Sequence, residues 1–296
     1  MLPNLQDKEK DTLYIIGNGF DLYHNIKSKY RHFCSWLNLN DYENFVDDME
    51  WFFLRLNYQQ CNLWSNFENV LRTYDSQELY HQLRHKTEDV WNDEALRKSV
   101  EELSDIVKKI RPLMKEWASN IDIKHIPTEC RLELSKESLF LTFNYTKVLE
   151  NFYGIPESQI CHIHGSIDDE EILTGHDITT APHDVYAETD EEELPRKKIV
   201  EIMNTLNKNI TNNIKKNSFF DTLQNISNIV VIGHSMSIID IPYFHAVRTK
   251  VCPNSNWYFS IHDGQETRYI NSFIENSSHN VNEKPLQMEN CHLFKL

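Results

Sequence analysis

Two short runs in this 296-residue chain are apolar throughout and stop at glycine. Leu13-Tyr14-Ile15-Ile16 precedes Gly17-Asn18-Gly19, and Ile229-Val230-Val231-Ile232 precedes Gly233. A β-rich run of this length, closed by a turn residue and followed by helical periodicity, reads as a buried strand entering a helix. Leu139-Phe140-Leu141-Thr142-Phe143, Ile160-Cys161-His162-Ile163 and Glu171-Ile172-Leu173-Thr174 read as further strands, and residues 257–261 and 292–294 as closing ones. Strands alternating with helices predict an α/β fold: a mostly parallel sheet with helices on both faces.

After the first strand the pattern turns helical, from about residue 40 to 120. Leu63, Trp64, Phe67, Val70 and Leu71 fall on one face. Leu96, Val100, Leu103, Val107, Ile110, Met114 and Trp117 recur at spacings of four and three, as an amphipathic helix requires, with a kink or restart expected at Pro112. The expected organisation is a tail over residues 1–11, an α/β domain over 12–39 and 137–296, and a helical insertion over 40–136. Residues 181–196 read as an acidic loop, with helix resuming over 197–213.

Lys+Arg is 30 and Asp+Glu 45, a net charge of −15 that repels nucleic acid and anionic membrane. The one tight basic cluster, Arg196-Lys197-Lys198, follows the acidic run 188–193 and reads as part of a solvated loop. No apolar run approaches the length of a membrane span. The six cysteines have no CxxC pair, which argues against a cysteine zinc site. With a polar start that lacks the pattern of a signal peptide, they predict reduced thiols in a cytoplasmic protein.

Glycine is scarce: 7 residues, where roughly 7% is ordinary. Five of them (Gly17, Gly19, Gly165, Gly175 and Gly233) fall at predicted strand ends beside Asn, His, Ser or Asp, and none falls in the helical insertion. In a parallel sheet, ligands bind beyond the carboxyl ends of the strands. Gly17 and Gly19 could let backbone N–H groups approach a pyrophosphate, or form a tight turn capped by Asp21. Asn144 could hold a water or a ribose hydroxyl, or cap a helix. Strand alternation puts His162 and His164 on one face, and a strand-end histidine has the pKa of a general base. Gly233-His234-Ser235, with Asp240 beyond, repeats the arrangement. The glycines thus predict one pocket, where replacing Gly17 or Gly19 by Val should harm ligand binding more than folding.

Taken in order, Tyr14-Ile-Ile-Gly-Asn-Gly-Phe-Asp-Leu, Leu63-Trp-Ser-Asn-Phe-Glu, Phe143-Asn-Tyr-Thr, His162-Ile-His-Gly, Thr174-Gly-His-Asp and Gly233-His-Ser-Met with Asp240 resemble the AbiH family of bacterial abortive phage-infection proteins. The family is similar to a distant branch of the sirtuin-like NAD-binding fold, which implies a Rossmann-like domain. The resemblance implies that Gly17, Asn18, Gly19 and Phe20 meet the NAD pyrophosphate and that Gly233 and Ser235 meet the adenosine ribose. It implies that Asn144 orders the attacking water and His164 is the base, with His162, Glu68, Asp21 and Asp240 in support. Asp21 stands where sirtuins carry a serine, and Thr146 replaces an acidic residue; with the missing zinc cysteines, both argue against protein deacylation. The implied activity is triggered hydrolysis of NAD to nicotinamide and ADP-ribose, with no metal, in a homo-oligomer or beside a partner defence protein. Two other readings stay open: a non-catalytic NAD or nucleotide sensor acting with a partner, and a metal-dependent hydrolase using His162, His164, His176, Asp177 and His183.

Overall fold

The computed structural model describes residues 2–5, 8–54, 63–85, 93–177, 190–262, 264, 266–275 and 286–296. In chain order the elements are β1 (Thr12–Ile16), α1 (Asn18–Tyr23), α2 (Tyr30–Leu39), α3 (Glu43–Leu54), α4 (Phe67–Arg72), α5 (Ser76–His85), α6 (Asp93–Ser119), β2 (Leu139–Thr142), α7 (Val148–Asn151), β3 (Ile160–His162), α8 (Asp190–Asn204), α9 (Ile210–Lys216), β4 (Asn228–Ile232), α10 (Ile241–Lys250), β5 (Asn256–Ile261), α11 (Glu266–Glu275) and β6 (Cys291–Lys295). The six strands form one sheet in the order β3-β2-β1-β4-β5-β6, every pair parallel. This is a Rossmann-like α/β fold. Its strand order reverses direction between β1 and β4, the place where such sheets open a crevice at their carboxyl ends.

The apolar runs are uniform because both faces of the sheet are covered. Leu13, Ile15, Leu141, Ile229 and Val231 join a core with Phe143, Tyr243, Phe244, Trp257 and Phe273. Tyr14, Ile16, Phe140, Val230 and Ile232 join a second core with Phe20, Val148, Leu149 and Tyr153. Successive side chains of one strand therefore enter opposite cores, and neither face can carry the polar residues of a half-exposed sheet.

The chain divides into two compact units. One comprises Met1–Ser28, Ala118–Ile172 and Ile210–Leu296, and holds the whole sheet; the other comprises Lys29–Trp117 and Leu173–Asn209. The expected helical stretch 40–136 is thus shared, its last residues from Ala118 onward falling in the sheet unit.

Three local expectations are corrected. Residues 171–174 form no strand: they pair with no strand of the sheet, and the chain passes here from one unit into the other. Of the acidic loop expected over residues 181–196, the part from Asp190 onward is helix, and residues 181–189 lie outside the described residues. Arg196 accordingly lies buried on α8 rather than in a solvated loop. Helix α6 continues through Pro112 without a restart, and its apolar stripe (Leu96, Val100, Leu103, Val107, Ile110, Met114 and Trp117) is buried as the spacing required. Among the described residues no helix is long and apolar enough to cross a membrane. Cys34, Cys130, Cys161, Cys252 and Cys291 are free thiols.

Candidate functional site

The turn after β1 crosses the turn after β4 at very close range. Gly17 N–H donates to Ile232 O (2.9 Å), Gly19 N–H to Gly233 O (2.7 Å) and Phe20 N–H to Gly17 O (2.9 Å). A Cβ on Gly17 would stand 2.6 Å from His234 Cα, and one on Gly19 2.7 Å from Gly233 Cα. Gly233 has φ +64°, and a Cβ there would lie 2.3 Å from Phe20 N. These glycines are required because two backbones touch. The N–H groups of Gly17, Gly19 and Phe20 are engaged by backbone carbonyls, so backbone packing by itself accounts for glycine at positions 17 and 19. Replacing Gly17 or Gly19 by Val would part the two turns, so the damage falls on folding first. Phe20 is wholly buried in the core against His24 and Tyr153. Asn18 Oδ1 accepts from Ser28 Oγ (2.5 Å), and Ser235 is exposed just beyond the crossing.

Beside this crossing lies a buried polar cluster at the ends of β1, β2 and β3. Asn144 donates from Nδ2 to Asp21 Oδ1 (2.9 Å) and to Gly17 O (3.2 Å), and Thr146 Oγ1 donates to Asp21 Oδ2 (2.7 Å). Both amide hydrogens of Asn144 are therefore fixed, while its Oδ1 receives no hydrogen bond from the described residues. Asp21 is fully buried, and burial raises its pKa from 3.8 to about 7 despite the opposing hydrogen bonds of Thr146 and Asn144 and the charge of His162. His162 Nδ1 lies 2.9 Å from Asn144 O, which can only accept, so that nitrogen carries a proton; Nε2 lies 2.9 Å from Glu150 Oε1 on α7. Asn144 is thus held at its backbone by His162 and at its side chain by Asp21. Lys147, next in sequence to Thr146, is neutralised by Glu157 (2.8 Å) and Asp168 (2.5 Å).

His164 does not share the face of His162. The strand ends at His162, and a turn through Gly165 (φ +77°), whose N–H returns to His162 O, breaks the alternation. His164 packs edge-on to Phe143 (5.2 Å) and Tyr243 (5.7 Å), members of the opposite core. There its Nε2 lies 3.6 Å from Asp240 Oδ1, while His234 Nε2 lies 3.7 Å from Asp240 Oδ2. All three side chains are buried. His234 is legible in the Gly-His-Ser motif as a polar residue after a strand-end glycine, yet it was not among the expected site residues. Glu150 carried no readable signal, since nothing local ties it to His162.

The other unit holds the remaining motifs. Glu68 pairs with Lys208 (Nζ to Oε1, 2.8 Å), whose side chain is fully buried, and Thr174 Oγ1 and Gly175 N also reach Glu68 at 3.4 Å. His176 Nε2 bonds Met203 O (2.9 Å), Asp177 pairs with Arg72 (2.9 Å), and Gly175 faces Leu206 O so closely that a Cβ would lie 1.8 Å from it. Gly175 therefore serves a contact within its own unit rather than the strand-end pocket, and Glu68 is engaged locally. Of the alternative metal set, His162 and His164 belong to the sheet unit, His176 and Asp177 to the other, and His183 lies outside the described residues. Among the described residues no group of three His, Cys, Asp or Glu forms a metal site.

A family model described as bacteriophage abortive infection AbiH matches residues 13–261. No curated protein and no solved structure matches the chain.

Proposed function

The chain belongs to the AbiH family of bacteriophage abortive-infection proteins, and from that premise we propose that it acts by hydrolysing NAD to nicotinamide and ADP-ribose. The observation that carries this reading is the charge of the strand-end clusters. Asp240 is buried beside His164 and His234, Glu150 is partly buried against His162, and the nearby Lys147 is already neutralised. Phosphoryl transfer calls for cationic clamps on developing negative charge. Cleavage of a nicotinamide glycosidic bond instead builds positive charge on the ribose, which preorganised carboxylates stabilise.

In this mechanism Asn144 Oδ1, left open by the anchoring of its amide hydrogens, accepts from the attacking water and aims it. The bond between ribose and nicotinamide breaks, and its electron pair leaves with neutral nicotinamide. The water oxygen bonds the ribose carbon, and its proton passes to His164, directly or through a ribose hydroxyl, then to solvent. Positioned proton transfer of this kind is typically worth about 10²–10⁴-fold.

The test is nicotinamide release from NAD by the purified protein, triggered or assembled with its partner as needed, against a His164→Ala control. Release above the control supports the reading. No release, with NAD still raising the unfolding temperature, replaces it with a non-catalytic nucleotide sensor.

A further inference from the structure

His234 and Asp240 stand in the connection between β4 and α10 and His164 just after β3; both rings meet the Asp240 carboxylate, and four features single the group out. Met236 N–H donates to His234 Nδ1 (2.9 Å), so Nδ1 holds the lone pair and a neutral His234 carries its proton on Nε2, the nitrogen nearest Asp240 Oδ2. Met236 makes that bond from a left-handed backbone, φ +56°, a conformation costly for a residue with a side chain. Asp240 occupies the N-cap of α10, yet its carboxylate makes no capping hydrogen bond, although capping is the usual reason for an Asp in that position. Finally, the Phe143 ring stands edge-on to both imidazoles, at 5.2 Å from His164 and 4.4 Å from His234, which fixes their planes.

We propose that His234 and Asp240 are positioning residues that act in series on His164: His234 orients Asp240 through its Nε2–H, and Asp240 orients His164 and stabilises the imidazolium formed when His164 takes a proton. The 3.6 and 3.7 Å separations lie just beyond hydrogen-bond length, and catalytic hydrogen bonds commonly tighten only when substrate is bound. Each oxygen of Asp240 faces a different ring, so each histidine reads a separate edge of one carboxylate. As a statement about catalysis this rests on the NAD-hydrolysis reading; as a statement about hydrogen bonding it stands without it.

Two measurements test it on the full chain. In nitrogen-15 histidine NMR, His234 is expected to show a lone pair on Nδ1 and a proton on Nε2, and Asp240→Asn is expected to move the His164 signals while the protein stays folded. The opposite tautomer at His234, or His164 signals that ignore Asp240→Asn, overturns the proposal. In nicotinamide release, Asp240→Asn and His234→Leu should each lower kcat by roughly 10²-fold and leave KM within about twofold. His234→Gln, whose amide N–H can replace Nε2–H, should recover about tenfold over His234→Leu. A loss confined to KM, or no recovery by Gln, overturns it. If the wild-type protein releases no nicotinamide, the hydrolase reading falls and the NMR result alone decides the hydrogen-bonding claim.

Discussion

Asp21 makes the stability of the sheet unit depend on pH in the direction opposite to that of an ordinary paired carboxylate. Its pKa is about 7 in the folded protein against 3.8 for an exposed aspartate, because burial outweighs the hydrogen bonds from Thr146 and Asn144. Below about pH 4 the group is protonated both folded and unfolded and contributes no difference. Between about pH 4 and 7 the folded state keeps a proton that the unfolded state has released, so stability falls as pH rises; above about pH 7 the penalty is complete. About three pH units at roughly 1.4 kcal/mol each give a total near 4 kcal/mol. Asp21→Asn cannot ionise and escapes this penalty. It also turns one amide N–H toward Thr146 or Asn144, losing a hydrogen bond at a pH-independent cost of about 1–2 kcal/mol. The variant should therefore be slightly less stable than wild type near pH 4.5 and about 2–3 kcal/mol more stable near pH 8. Urea unfolding of both proteins across this range measures the difference and cancels every other titrating group. A difference that does not vary with pH, or one that increasingly favours wild type as pH rises, would refute the burial argument.

Two further outcomes follow from contacts in the two units. Gly233→Ala should destabilise the protein by about 3 kcal/mol or more, since the left-handed backbone and the close approach to Phe20 N both oppose a Cβ; Gly17→Val and Gly19→Val should likewise fail in unfolding experiments run without ligand. An intact unfolding midpoint with lost NAD binding would restore the ligand-contact explanation of these glycines. Glu68→Gln should destabilise the protein by removing the carboxylate 2.8 Å from the fully buried Lys208 ammonium, and adding Lys208→Met should recover part of that loss; strictly additive costs in denaturant titrations would show that the two side chains are not coupled.

The sequence by itself determined the elements and the kind of chemistry. Leu13–Ile16, Ile229–Ile232 and the stripe from Leu96 to Trp117 were legible because burial on two faces or on one stripe leaves a periodicity that neighbouring residues display. The strand-end polar residues were legible for a related reason: an apolar run that stops at Gly, Asn or His marks where the backbone leaves the sheet. Alternation misled at His164, because it holds only while the strand lasts and β3 ends two residues earlier. Residues 171–174 had strand composition without a neighbouring strand to pair with.

Only the tertiary structure decided which residues meet. Asp21 binds Asn144 across 123 positions of chain, and Glu68 binds Lys208 across 140; no local pattern records a partner at that distance. The glycines show the division most clearly. Their scarcity and their place at strand ends were written in the sequence, and a pocket was the natural reading. The fold instead laid β1 beside β4, brought Gly17 and Gly19 against Gly233, and engaged their N–H groups with backbone carbonyls. Strand order is set by how the helices between the strands cover the two faces of the sheet, a property of the whole chain, so the glycines' role became visible only when both turns were in place.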